Sequence, residues 1–284
     1  MSATRVTALV PAWNAEPFIE ATLDSLARQD HANLRVVISV DVSTDRTAEV
    51  CAAFAARDSR FSVIRQATRR GWVGNVNALL REVNDGYCFF AFHDDLLDPP
   101  YVRELAARLD ANPGAVVAFS DMDTLDRAGV RKTQVYEVLE GVIDPVERAR
   151  RLLLKQGFWW VPHRGLFRVS VGREIGGLKK HLAGEFSADW PWMLHLALRG
   201  EFVRVPEVWV HKRYMKFSLS RTWKFSSPQA IAVILSCFRE VLRARVPWPV
   251  KRAVLPVVFD RLGAAIRHMA MYRADQLRRW LTKV

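Results

Sequence analysis

The sequence is poor in the residues that staple or anchor a fold. It holds 3 cysteines among 284 residues, and Cys51, Cys88 and Cys237 are odd in number, widely spaced and set among apolar neighbours. That pattern excludes a disulfide framework and a zinc knuckle, and it predicts free thiols in a reducing cytoplasm. No stretch approaches the roughly 20 apolar residues of a membrane span, and the run Ala230–Leu235 is far too short. The opening MSATRVTALVPAWN lacks a basic region followed by an apolar stretch and a small-residue cleavage site, so no signal peptide is expected. There is no internal repeat and no low-complexity tract. A glycine-rich phosphate loop is also missing after the first apolar run, where PAWNAEPF stands instead. Its absence argues against a nucleotidyltransferase.

What is present is globular: 50% of the residues are hydrophobic and 25% charged. The length allows one large domain or two small ones. The net charge of +12 is unevenly placed. Residues 1–200 carry 25 basic and 25 acidic side chains, whereas residues 201–284 carry 17 against 5, so the whole excess lies in the tail. A neutral body with a basic tail suits a surface that meets phosphates, acidic lipid or acidic glycans. Nucleic acid is not expected, because no recognition motif accompanies the charge.

Strand and helix patterns alternate through the first part. VTALVPAWN and LRVVISVDV are apolar, β-branched runs, and PFIEATLDSLARQ and TAEVCAAFAARD have helical spacing. FSVIRQ is a short strand, Val73–Val83 a helix, and Tyr87–Phe92 a strand. Asp98 is expected to cap a helix with Pro99 and Pro100 in its first turn, and VVAFSD adds a further strand. This order predicts an α/β fold, a mostly parallel sheet covered by helices, with ligands beyond the carboxyl ends of its strands. After Asp126 the pattern loosens. VERARRLLLKQ and SADWPWMLHLALRG read as helices. A third starts at Ser227 with Ile231, Ile234, Leu235, Phe238 and Leu242 as its apolar stripe. The tail beyond it reads as helix interrupted near Pro256.

Three places at strand ends can carry chemistry. Asp94 and Asp95 follow the aromatic strand YCFFAF; they either close a solvated turn or hold a cation, since adjacent carboxylates repel unless positive charge offsets them. Asp41 ends a β-branched strand and either caps a helix or accepts an N–H from a ligand. Trp13, two residues after Pro11, is core packing or a stacking face.

Taken in order, VPAWN, VDVSTDRT, FHDDLLDPPYV, NPGAVVAFSD, GLFRVSVGREIGGL and SADWPWMLHLALRG resemble the motifs of family-2 glycosyltransferases, from about Val6 to Ser220. The resemblance implies a GT-A fold and inverting transfer of a sugar from a nucleoside diphosphate sugar to a hydroxyl. It places Pro11, Trp13 and Asp41 at the nucleobase and Asn77 in the donor site. Asp94 and Asp95 fall at a Mg2+ or Mn2+ ion and the diphosphate, and Asp189 at the position of the catalytic base. Arg70 and Lys212 are candidates to reach the diphosphate, as are Arg69, His211 and Arg213. A UDP-sugar is the favoured donor.

The departures are Val40 and Val42 in the nucleotide loop, Phe92 for the first Asp of DxDD, and Ala188 for the Glu of the ED motif. They support an alternative, a degenerate GT-A protein that binds nucleotide sugar or glycan without transfer. The expected division is a GT-A domain over 1–225, with a nucleotide-sugar half (1–125) and an acceptor half (126–225), then a basic helical extension over 226–284. The implied acceptor is a saccharide or lipid-linked saccharide of cell-surface polysaccharide or lipopolysaccharide. The expected location is the cytoplasm, free or peripheral at the inner face of the cell membrane. The extension either lies on anionic membrane or packs as a cap on the catalytic domain.

Overall fold

The computed structural model describes residues 3–125, 130–154, 157–213 and 226–281, the side chains of 273 and 275–281 excepted. The expected domain junction at residue 225 lies outside the described residues. The first half alternates as predicted: β1 (Val6–Ala12), α1 (Glu16–Ala27), β2 (Leu34–Val40), α2 (Thr47–Arg57), β3 (Phe61–Arg65), α3 (Gly71–Arg81) and β4 (Tyr87–Phe90). β1 and β4 are buried along their whole length, which is why they read as unbroken apolar runs and not as alternating ones. β1 pairs in parallel with β2 and β4, and β2 with β3, so the carboxyl ends of all four strands share one edge.

The chain continues with β5 (Asp95–Leu97), α4 (Tyr101–Ala111), β6 (Ala115–Leu125), β7 (Arg131–Gln134) and α5 (Pro145–Leu153). A 3-10 turn (Pro162–Arg164), β8 (Leu166–Arg168), α6 (Val169–Ile175), α7 (Asp189–Arg199) and β9 (Glu201–Arg213) follow, then the helices α8 (Ser227–Arg243) and α9 (Trp248–Leu281). Among the described residues one nine-stranded sheet forms in the order β3-β2-β1-β4-β8-β6-β9-β5, with β7 on β6. β8, β7 and β5 run antiparallel to their neighbours, and β6 and β9 are parallel. The expected mostly parallel sheet is therefore present, with antiparallel strands inserted between and beside its two parallel parts.

Four local expectations need correction. His93 and Asp94 do form a turn, but Asp94 is buried in it, not solvated, and Asp95 opens a strand, β5, because its backbone pairs with β9, more than 100 residues later in the sequence. Asp98 does not cap α4: the N-cap position is Pro100 with no side-chain cap, and the Asp98 carboxylate lies 3.1 Å from His211 Nε2. On α8 the buried stripe is Val233, Ile234, Cys237 and Val241, while Leu235 and Leu242 are exposed. The helix is wedged against α7 and α9, and those partners select its face. Finally, α9 runs through Pro256 without a break. Pro256 and Arg252 are exposed, so the carbonyl released by the missing N–H stays in water.

The core has two parts. The larger surrounds the sheet. The second joins Ala149 and Leu153 of α5 and Trp190, Leu194 and Leu198 of α7 to Val233, Cys237 and Val241 of α8 and Val254 and Val258 of α9. The extension is thus a cap packed on α7, and each fully buried valine there contributes on the order of 1.5–3 kcal/mol. All three cysteines are free and buried.

Candidate active site

The edge formed by the ends of β1 and β2 carries the first station. Asp41 is buried, and its Oδ1 accepts the backbone N–H of Arg70 at 2.8 Å and of Val42 at 3.1 Å. Its Oδ2 accepts the N–H of Gly71 at 3.0 Å and lies 3.4 Å from the Arg69 guanidinium. Asp41 therefore caps α3, whose first N–H groups have no partner within the helix. Glu185, from the segment before α7, accepts the next N–H, that of Trp72, at 3.0 Å. The Arg69 guanidinium also stacks over the ring of half-exposed Trp13, 3.6 Å from its centroid. Pro11 belongs to the buried end of β1, and its carbonyl lies 3.2 Å from His93 Nδ1.

Asp94 and Asp95 form the second station. Both are buried, and Asp95 Oδ2 accepts the Nε–H of Arg164 at 2.7 Å. Asp95 sits opposite Lys212 in the β5–β9 register, so the two side chains share one face. Lys212 Nζ lies 3.7 Å from Asp94 Oδ2 and 4.0 Å from Asp95 Oδ1. Burial pushes the Asp94 carboxyl up, but Lys212, His93 and Arg164 more than offset it and hold the group below the usual carboxylate range. Alternation along β9 sends the flanking residues elsewhere. His211 is held between Asp98 and Asp123, at 3.1 and 3.0 Å. Arg213 donates to the Asp94 and Phe18 carbonyls, each at 3.1 Å.

Asp189, the third station, opens α7, and its Oδ1 accepts the N–H of Trp190 at 3.1 Å. Its Oδ2 lies 3.5 Å from Nδ1 of buried His163. His163 is packed among Phe90, Phe92 and Trp192. Burial, reinforced by Arg164 and Lys212, pushes its imidazole down to about 3, so the ring is neutral. The adjacent Arg164 feels Asp95, Asp94 and Asp189 together, which holds its charge against burial.

A glycosyl transferase family 2 model matches residues 7–172. The chain belongs to this family. It is 32% identical over 207 residues to the uncharacterized glycosyltransferase EpsJ of Bacillus subtilis, covering 70% of this chain and 58% of that protein. It is 25% identical over 186 residues to the uncharacterized protein y4gI of Sinorhizobium fredii, covering 65% of this chain and 19% of the relative. The chain thus spans less than two thirds of the length of these relatives. The fold matches that of Staphylococcus aureus TarS 1-349 solved with UDP-GlcNAc, with a TM-score of 0.71 at 17% identity, over 90% of this chain and 72% of that one. It also matches the mannosyltransferase PcManGT of Pyrobaculum calidifontis solved with GDP-Man and Mn2+, with a TM-score of 0.57 at 19% identity, over 98% and 83%. The GT-A fold expected from the motifs is therefore the fold observed.

Within this family-2 frame the structure gathers Trp13 and Asp41, Asp94, Asp95 and Lys212, and Asp189. Asp189 and Lys212 lie beyond the segment matched by the family model. Asn77 is not brought in: its amide donates to the Leu178 carbonyl and accepts the Leu178 N–H, which uses both ends to tie α3 to the segment after α6. Arg70 contributes its backbone N–H, while its guanidinium turns to Gln66, so Arg69 is the arginine on the Trp13 face. Trp190 and Trp192 are core residues; Trp159 and Trp160 are half-buried beside them.

Sequence reasoning missed Glu185 and the pairings of Arg164 and His163. Their partners are 113, 69 and 26 residues away, so no local pattern could signal them. The carboxylate pair fits a divalent ion. Asp95 Oδ1 is buried and accepts no hydrogen bond, and an ammonium already lies within 4.0 Å of both carboxylates. Among the described residues no group of three or more His, Cys, Asp or Glu converges. Such an ion would therefore take two protein carboxylates and complete its shell with phosphate and water.

Proposed function

We propose that this chain transfers a sugar, with inversion, from a nucleoside diphosphate sugar to a hydroxyl of a saccharide or lipid-linked saccharide. The observation that carries the proposal is the linkage of two carboxylate stations through one turn. Arg164 grips Asp95, and its neighbour His163 faces Asp189. One station suits the departing diphosphate and the other suits the attacking hydroxyl.

In this scheme Trp13 and Asp41 receive the base, with Arg69 giving up its place on the ring. The N–H of a uracil matches the Asp41 acceptor, and the UDP-GlcNAc bound by TarS makes UDP-sugars the first donors to try. Lys212 offsets charge on the diphosphate, and Asp94 with Asp95 would hold Mg2+ or Mn2+ there. A bound ion would supply Lewis-acid stabilisation of the leaving group. Asp189 takes the proton from the acceptor hydroxyl as it attacks from the opposite face.

Replacing Asp189 with Asn should lower UDP release from UDP-GlcNAc about 100- to 10,000-fold while UDP still binds in calorimetry. Near-normal release by this variant with intact binding would show that another group is the base. A wild-type protein that binds donor but releases no nucleotide with any donor or metal would favour the degenerate binder, which the two protein cations on Asp94 and Asp95 also suit.

The extension also supports a peripheral membrane site at the cytoplasmic face. Trp248, Phe259 and Ile266 are exposed and, at spacings of eleven and seven residues, fall within about 20° of each other on α9. Exposed Arg252 and Arg267 accompany them. Among the described residues no helix is long and apolar enough to cross a membrane. Wild-type protein should float with vesicles containing anionic lipid. Serine at these three exposed positions should abolish flotation without unfolding the cap, and equal flotation of both proteins would remove the membrane from the proposal.

A further inference from the structure

Resting on the assignment of Asp189 as the base, we infer that His163 is its positioning residue, donating a hydrogen bond from Nδ1 that aims the carboxylate at the acceptor hydroxyl. The inference starts from the cage around the imidazole. Phe90, Phe92 and Trp192 enclose the ring with centroids 5.6, 5.4 and 6.0 Å away. His163 Nε2 is buried and has no hydrogen-bond partner. The charged groups around the ring are Arg164, Lys212 and Asp189, with Asp95 behind Arg164. The two cations and the apolar cage exclude a second proton, so the ring carries one N–H.

That single proton has two possible sites. On Nε2 it would be an orphan donor in an apolar cage, with its desolvation uncompensated. On Nδ1 it faces Asp189 Oδ2 at 3.5 Å. A gap of this size is typical of a catalytic contact before substrate closes it. With Oδ1 held by the Trp190 N–H, both carboxylate oxygens then have a fixed donor, and the carboxylate plane is set.

The turn that carries His163 is itself fixed. The Tyr101 hydroxyl donates to the Arg164 carbonyl, and Arg164 Nε donates to Asp95. A Cβ at Gly165 would collide with the Ala118 carbonyl, so the backbone there cannot back away. The turn therefore holds the base at a set distance from the carboxylates of the diphosphate station. Phe92 has a part as well. An aspartate in its place would offer the imidazole a second acid; phenylalanine leaves Asp189 as its acceptor.

Two measurements test this. In a long-range 1H–15N spectrum of the full chain, the His163 signal, identified by its loss in His163→Asn, should show the Nδ1–H tautomer at pH 7, and Asp189→Asn should shift it. In nucleotide release from UDP-GlcNAc, or from GDP-mannose if that is the donor used, His163→Phe should keep the packing and the donor KM. It should lose about 10- to 100-fold in kcat and move the acidic limb of the pH profile, while His163→Asn, which restores a donor near Nδ1, should recover most of the rate. An Nε2–H tautomer, or a His163→Phe enzyme with wild-type kcat and pH profile, would overturn the inference. Asp189→Asn turning over like wild type would instead overturn the assignment of the base.

Discussion

Replacing Arg164 with Met tests the ion pair on which the site is built. The side chains of Arg164 and Asp95 are 10% and 4% exposed, and Nε lies 2.7 Å from Oδ2. Methionine fills similar volume, so the loss is electrostatic and not a cavity. Asp95 would keep a buried charge with the Lys212 ammonium still 4.0 Å away, and its Oδ1 already accepts no hydrogen bond. Breaking a buried pair from one side costs about 3–5 kcal/mol, and the Arg164 hydrogen bond to the Trp160 carbonyl is lost with it. At about 2–4 °C per kcal/mol for a chain somewhat shorter than this one, Tm should fall by roughly 6–20 °C. The double variant Asp95→Asn, Arg164→Met removes the stranded charge and should recover at least half of the loss. Thermal and urea unfolding followed by circular dichroism would measure both. A single variant within about 1 kcal/mol of wild type, with no recovery in the double, would refute the reasoning.

Two further predictions concern the same turn. Because the folded His163 imidazole is pushed down to about 3 while the unfolded one titrates near 6.5, its contribution is complete above that value and is lost as pH falls between them. Urea unfolding should show a loss approaching about 1.4 kcal/mol per pH unit from this group, and His163→Phe should flatten the dependence between pH 6.5 and 5. Gly165→Ala should cost about 1–3 kcal/mol in the same assay, because the new Cβ meets the Ala118 carbonyl and the Phe119 Cβ.

The local signals in the sequence were strong where the chain decides its own shape. The largely apolar runs of β1, β2 and β4 and the helical periods between them implied a parallel sheet, since consecutive strands joined by helices pair in one direction. The same signals placed Asp41 and the Asp94–Asp95 pair at strand ends, and hence on one edge. They failed where a distant partner decides: β5 exists because β9 pairs with it, the buried face of α8 follows from its two neighbours, and Asp98 answers His211 instead of its own helix.

By itself, then, the sequence determined the order of the elements, the edge on which ligands gather and the residue types available there. Only the tertiary structure decided which of those residues meet. Lys212 was one of five basic candidates for the diphosphate, and the β5–β9 register sets it opposite Asp95. Asn77, a candidate for the donor site, has both ends of its amide on Leu178. No local pattern singles out His163, whose partner is a carboxylate 26 positions away. Periodicity and capping act over one or two turns of chain, whereas a polar side chain's role is set by the nearest opposite charge in space.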